Sequence, residues 1–281
     1  MTAFAGWNFI AGGAGLINNS GINVLMNLFF GVGVNAARGI AVQVNSHVYA
    51  FVTNFTMALN PQITKSYAQE NFEYMHSLVC RGAKFSFFLI LLFLIPICLE
   101  THQILTIWLG IVPEYAVPFV QLTLVSSAIN VLSNTIITSI HATGNIRRFM
   151  IIVGAVEITN FPLVYIAFKL GLGPLAAYYI YIFIYLILMF LRFYLTKDLI
   201  HLKASRFIKE VYLKALVVTV IASIIPVALR MVMTEETILR FIVLCCISLV
   251  TTVTTIYLVG LDAAERGLVI NLINKKVLHR K

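Results

Sequence analysis

The chain has 281 residues, 60% of them hydrophobic and only 11% charged, with a mean hydropathy of +0.94. Soluble domains carry roughly 25% charged residues, so this composition excludes an ordinary soluble enzyme or binding domain and leaves a polytopic membrane protein. The formal charge is +9, but the surplus cations flank apolar runs and no basic patch interleaved with aromatics exists, which argues against nucleic acid as a partner.

A hydrocarbon core is crossed by about 20 mainly apolar helical residues. Eight stretches qualify: residues 5–30, 35–60, 77–99, 116–141, 147–168, 174–196, 211–230 and 238–260. The expected fold class is therefore all-α, a polytopic membrane protein of about eight transmembrane helices joined by short connections that Gly and Pro punctuate, Pro61 among them. No charge precedes Arg38, so the first apolar run lacks the basic start of a signal peptide and is read as a span that is kept. If the connections alternate between sides, 16 of the 20 Lys and Arg fall on one side and 4 on the other. The positive-inside rule then places both termini in the cytoplasm. That count assigns Arg192 to a cytoplasmic loop and Arg240 to an outer one.

The first span carries Asn8, Asn19, Asn23 and Asn27, which share a face of a single helix. Such a stripe serves as interhelical glue or as a cavity lining, and the second reading is preferred because intramembrane polar groups face the interior. In the second span Asn35, Arg38 and Asn45 share one face, and Gln43, His47 and Asn54 a second. A helix with two polar stripes cannot face lipid all round, so it is the wall of a polar path. Arg81 and Lys84 open the third span and are placed to snorkel to the cytoplasmic interface. Trp108 suits an interfacial belt. Asn130 and Asn134 form an i, i+4 polar pair in the fourth span.

The fifth span holds Glu157, the one acidic residue deep in an apolar run, followed by Asn160 and Pro162. A carboxylate at that depth is a proton carrier, a cation ligand or a salt-bridge partner; the plainer alternative is a protonated carboxyl bonded to a neighbouring helix. The sixth span is aromatic, with Tyr178, Tyr179, Tyr181, Phe183 and Tyr185. The last two are almost wholly apolar and read as peripheral. The tail, residues 262–281, reads as a short basic amphipathic helix on the inner leaflet. Cys80, Cys98, Cys245 and Cys246 lack any metal-ligand spacing and act as small apolar fillers. No HExxH, GxSxG, P-loop or intramembrane acid pair is present, so neither catalysis nor a metal or other cofactor is expected.

The strings FFGVGVNAARGIAVQV (residues 29–44) and NFTMALNPQITKSYAQ (54–69), followed by RGAKF (81–85), IWLGIVP (107–113) and ATGNI (142–146), resemble the second half of polysaccharide-type flippases of the multidrug/oligosaccharidyl-lipid/polysaccharide exporter superfamily. The resemblance covers residues 5–200 and reaches the last two spans by hydropathy only. It implies a two-lobed alternating-access carrier of lipid-linked oligosaccharide, moved from the inner to the outer leaflet of the bacterial cytoplasmic membrane. Residues 1–200 would be the second six-helix lobe, 201–261 two additional helices and 262–281 a cytoplasmic tail. Eight spans account for one lobe and the extra pair, so a separately encoded first lobe or a second copy is the expected protein partner.

On this resemblance Arg38 is the candidate contact for a polyprenyl diphosphate. Asn19, Asn23, Asn27, Asn35 and Asn45 are the candidates for sugar hydroxyls, since each amide both donates and accepts. Membrane lipid is the remaining expected partner. Two other functions compete: a cation-coupled multidrug exporter of the same superfamily, in which Glu157 couples the ion, and a non-transporting membrane assembly subunit.

Overall fold

Inside a membrane every backbone N–H and C=O must find its partner within the chain, which limits a spanning segment to a helix or a closed barrel. The computed structural model describes residues 2–267 and 270, with residues 2–12, 14, 16, 17 and 19 described by backbone alone, and among these residues it has helices and no strand. The protein is thus all-α and polytopic. Seven described stretches are long and apolar enough to cross a membrane: Ser20–Ala68, Phe72–Leu99, Ala116–Thr143, Arg147–Lys169, Ala176–Lys197, Ala204–Val232 and Ile238–Gly260.

The first of these takes in the end of the first expected span and the whole of the second. Helix α1, Thr2–Ala68, is interrupted at Gly31, where φ is 83° and ψ 177°. As one straight rod, its 49 residues from Ser20 onward would reach ~74 Å at ~1.5 Å per residue, more than twice the ~30 Å hydrocarbon core. Arg38 donates to the Asn23 side chain, fifteen residues back; on an unbroken helix the two would stand ~22 Å apart. The two arms therefore fold back on each other at Gly31. A positive φ with extended ψ is open to glycine alone. A methyl group at Gly31 would meet nothing within 4 Å, so Gly31→Ala is expected to cost ~1–3 kcal/mol through backbone strain alone. A thermal midpoint in detergent equal to the wild type's would show that the turn imposes no such constraint.

Two further spans are each broken in the middle. Helices α4 (Ala116–Val131) and α5 (Asn134–Thr143) are separated by a turn in which the Ser133 N–H donates to the Asn130 carbonyl at 3.0 Å. Helices α6 (Arg147–Ile158) and α7 (Asn160–Lys169) part at Thr159. Pro162 explains this second break: it has no N–H for the Ile158 carbonyl. Asn71 caps α2 (Phe72–Leu99), accepting from the Tyr74 N–H at 3.3 Å. The short α3 (Thr101–Leu109) carries a half-exposed Trp108. Helix α8 (Ala176–Lys197) completes a bundle in which α1 touches α2, α4, α5, α6 and α7, and α4 touches α8. Gly82 permits the α2–α5 contact, since a Cβ there would lie 2.6 Å from Thr135 Cγ2, and the Thr135 hydroxyl donates to the Val79 carbonyl at 2.9 Å.

A one-turn α9 (Ala204–Phe207) leads through a π-helical segment, Ile208–Leu213, into α10 (Lys214–Val232); α11 (Ile238–Thr255) continues into a second, Ile256–Gly260. Helices α10 and α11 pack on each other and on α2, with their outer faces exposed. Ion pairs pin this hairpin to the middle and to the C-terminal end of α2. At mid-helix Lys84 lies 2.6 Å from Glu265 and 3.6 Å from Asp262, and Lys214 pairs with Asp262. At the C-terminal end Glu100 meets Arg240 at 3.0 Å and Arg230 at 3.6 Å.

Several sequence expectations are corrected here. Pro61 does not end a span, because the second arm of α1 runs through it to Ala68. Lys84 does not snorkel: its side chain is 2% exposed, held by carboxylates that come from the far end of the chain. Arg192 and Arg240, counted as loop charges, are buried and paired within or at the ends of spans. Removing them leaves the loop asymmetry in the same direction. Of the expected tail helix, residues 263–267 and 270 are helical, while 268, 269 and 271–281 lie outside the described residues.

Hydrogen bonding from Lys214 holds the Asp262 carboxyl below its usual range. A carboxylate with a depressed folded-state pKa contributes stability above its unfolded value and loses it as pH falls through the folded one. Acidification through the ordinary carboxylate range should therefore leave residues 262–267 docked, with release only at lower pH. Amide exchange over that segment measures this, and release near the ordinary aspartate pKa would contradict the Lys214 contact.

Candidate functional site

The two arms of α1, together with α4, α6 and α8, enclose a cavity of about 470 Å³. This lies within the ~300–1,000 Å³ typical of small-ligand sites. The first arm contributes Asn18, Ile22 and Met26, and the second contributes Arg38, Val42, Asn45 and Tyr49. Helix α4 adds Thr123, Ser126, Ser127 and Asn130; α6 adds Glu157; α8 adds Tyr178, Tyr181 and Tyr185. The four-residue spacing of Arg38, Val42 and (one turn on) Asn45 and Tyr49 puts them on one face of the second arm, turned inward because its neighbours Ala37, Ala41 and Val48 are buried in the core. Amides, hydroxyls and phenols stand in the wall among the apolar side chains Ile22, Met26, Val42 and Ile184, so the cavity offers many hydrogen bonds and few charges.

Arg38 and Glu157 are the charged residues in the wall. Arg38 is anchored from the opposite arm by the Asn23 side-chain oxygen. Glu157 ends the last full turn of α6, where the Pro162 break sets it beside α8. There the Arg192 guanidinium, whose side chain is 5% exposed, donates to Glu157 Oε1 at 2.6 Å and to Asn130 Oδ1 at 2.6 Å. One planar fork thereby ties α8 to both α6 and α4. Nearby, the Tyr181 and Tyr185 hydroxyls share a 2.7 Å hydrogen bond. Asn18 accepts from Asn160 Nδ2 at 2.9 Å with both side chains buried.

The residues expected from sequence separate into groups. Arg38, Asn45 and Glu157 line the cavity, and Asn23 reaches it through Arg38. The Asn45 Oδ1 is buried without a donor. Asn35 is half-buried, with an equally unmet oxygen, and does not line the cavity; Asn27 is exposed. The side chains of Asn8 and Asn19 lie outside the described residues. The i, i+4 pair Asn130 and Asn134 is divided by the break between α4 and α5: Asn130 faces Arg192, whereas Asn134 donates to the Tyr49 hydroxyl at 3.0 Å. The second polar stripe of the second arm, Gln43, His47 and Asn54, lies exposed on the outside of the bundle. Sequence reasoning missed Asn18, Tyr49, Thr123, Ser126 and Ser127 as cavity residues, the three tyrosines of α8 in their role as lining, and Arg192, which pairs with the wall residues Glu157 and Asn130. No group of three or more His, Cys, Asp and Glu able to hold a metal ion occurs among the described residues.

Comparison with known proteins adds one match. The MatE family model matches residues 17–166, just over half of the chain and most of the helices that build the cavity. No curated protein matches the chain, and no solved structure does.

Proposed function

The chain belongs to the MatE family, whose members are membrane transporters rather than enzymes, and we propose that it flips lipid-linked oligosaccharide from the inner to the outer leaflet of a bacterial cytoplasmic membrane by alternating access. The observation that carries this reading is Arg38, a guanidinium on the wall of a cavity that also presents the amides of Asn18, Asn45 and Asn130 and several hydroxyls. Charge-assisted, forked hydrogen bonds from such a group suit a diphosphate, and the surrounding amides suit sugar hydroxyls. A cavity of about 470 Å³ has room for the charged head and the first sugar, so the remaining glycan and the polyprenyl chain lie outside it. The test is outer-leaflet appearance of a labelled polyprenyl-diphosphate oligosaccharide in proteoliposomes. Export of cationic dyes with no flipping of the labelled lipid would replace this reading by that of a drug exporter, which the Glu157 carboxylate in the wall favours.

The exposed stripe of Gln43, His47 and Asn54 needs polar cover at membrane depth, where unmet polar groups cost several kcal/mol each. A separately encoded lobe of the same superfamily supplies that cover in the proposed assembly. Cysteines introduced at Gln43 and Asn54 should crosslink to that lobe when both are co-expressed. Crosslinking of the chain to itself would make the partner a second copy, and a lipid-embedded monomer that crosslinks to neither would leave a non-transporting membrane protein.

A further inference from the structure

A carboxylate in the wall of a membrane cavity, with neighbouring oxygens, is the usual ligand set for an inorganic cation. Hard cations such as sodium take carboxylate and amide oxygens. In this chain two such oxygens converge, Glu157 Oε1 from α6 and Asn130 Oδ1 from α4. What stands between them is the Arg192 guanidinium of α8, 2.6 Å from each. Arg192 is a fixed cation, charged at any accessible pH, and its side chain is only 5% exposed. The Glu157 side chain is 25% exposed, on the cavity side. The carboxylate is therefore neutralised from behind while its open edge faces the cavity.

We propose that Arg192 is a resident counter-ion, which takes the place of an inorganic cation between Glu157 and Asn130, so that this cavity binds no sodium until Arg192 is removed. Coulomb repulsion at contact distance, in a medium of low dielectric, opposes a second cation on the same carboxylate. Removal of the guanidinium has the opposite effect. It leaves two oxygens already oriented toward one cation, in a wall that also offers the hydroxyls of Ser126 and Ser127. Arg192 thus determines ion specificity, holding the site closed to sodium without touching cargo. The cavity is the one in which cargo is proposed to sit, but sodium binding is read without any transport step, so a failure here and a failure of the flippase reading are distinguishable.

The experiment uses the purified full chain in detergent, with binding of radiolabelled sodium and thermal unfolding compared in sodium chloride and choline chloride of equal ionic strength. Wild type should bind no sodium above background and unfold at the same temperature in both salts. Arg192→Gln should bind sodium saturably and unfold at a higher temperature in sodium. Arg192→Lys, which keeps a cation, should behave as wild type, and Arg192→Gln combined with Glu157→Gln should lose the binding again. An Arg192→Gln protein that folds only in sodium supports the proposal equally. If it folds in neither salt, Arg192→Met, which removes the charge and keeps the length of the side chain, is read in its place; no saturable sodium binding by that variant, or failure of sodium to sustain its fold, overturns the proposal. Saturable sodium binding by wild type that disappears in Glu157→Gln overturns it, as does a folded Arg192→Gln that binds none.

Discussion

Arg38→Ala, in an assembly of this chain with its partner lobe, is expected to abolish flipping of lipid-linked oligosaccharide. Each hydrogen bond to a charged group contributes about 1.5–3 kcal/mol. A guanidinium that grips a diphosphate through two of them and is then deleted should lower the initial rate ~100-fold or more. Arg38→Lys should restore only part, because an ammonium keeps the charge but not the planar fork. Asn23→Ala separates orientation from charge. Asn23 accepts from Arg38 across the Gly31 turn, so its loss leaves the cation in the cavity but frees it to sample other rotamers, and an intermediate rate is expected. The readout is the outer-leaflet appearance of labelled lipid, beside cationic dye efflux. Wild-type flipping by Arg38→Ala would remove the proposed cargo contact. Dye efflux that depends on Glu157 and ignores Arg38 would favour the drug-exporter reading.

The helical architecture was legible in the sequence because hydrocarbon tolerates so few alternatives, and apolar run length alone marks the spans. The turn at Gly31 was legible only by length: Phe29–Val34 is as apolar as the helices it joins, so no polar loop separates the arms. Helical phase placed Arg38 and Asn45 on one wall correctly. It failed for Asn27, since neighbours in sequence stand about 100° apart around a helix. The inward face holds Asn18, Ile22 and Met26, and the stripe one residue on, with Asn23 and Asn27, stands beside it. Asn18 escaped notice because its own stripe is otherwise apolar. Arg192 escaped for a different reason: a cation four residues from the end of an expected span reads as a flanking charge. Its partners stand 35 and 62 residues away in sequence, beyond any local pattern. The same holds for Lys84, whose partner Glu265 is 181 residues distant. Buried ion pairs between remote spans are the part of this fold that hydropathy and charge counting conceal.

The ion pair behind the cavity predicts an asymmetry in stability. Taking away one member of a buried pair leaves the other as an uncompensated charge and costs about 3–5 kcal/mol, whereas replacing both by neutral groups of similar volume is often nearly neutral. Glu157→Gln should therefore lower the unfolding midpoint markedly in the absence of any cargo: the amide still accepts from Arg192, but the guanidinium charge is no longer met. The cost should sit toward ~3 kcal/mol, because Glu157 is partly open to the cavity and water there screens the charge. Arg192→Gln should cost a comparable amount in choline, having also deprived Asn130 of its donor. With both glutamines present the protein should recover most of the loss, so the double-mutant cycle gives a coupling of at least ~1 kcal/mol. Additive losses in the cycle would show that Glu157 and Arg192 do not share their charge, and Glu157 would then stand as a carboxyl bonded to a neighbouring helix with no ionic partner.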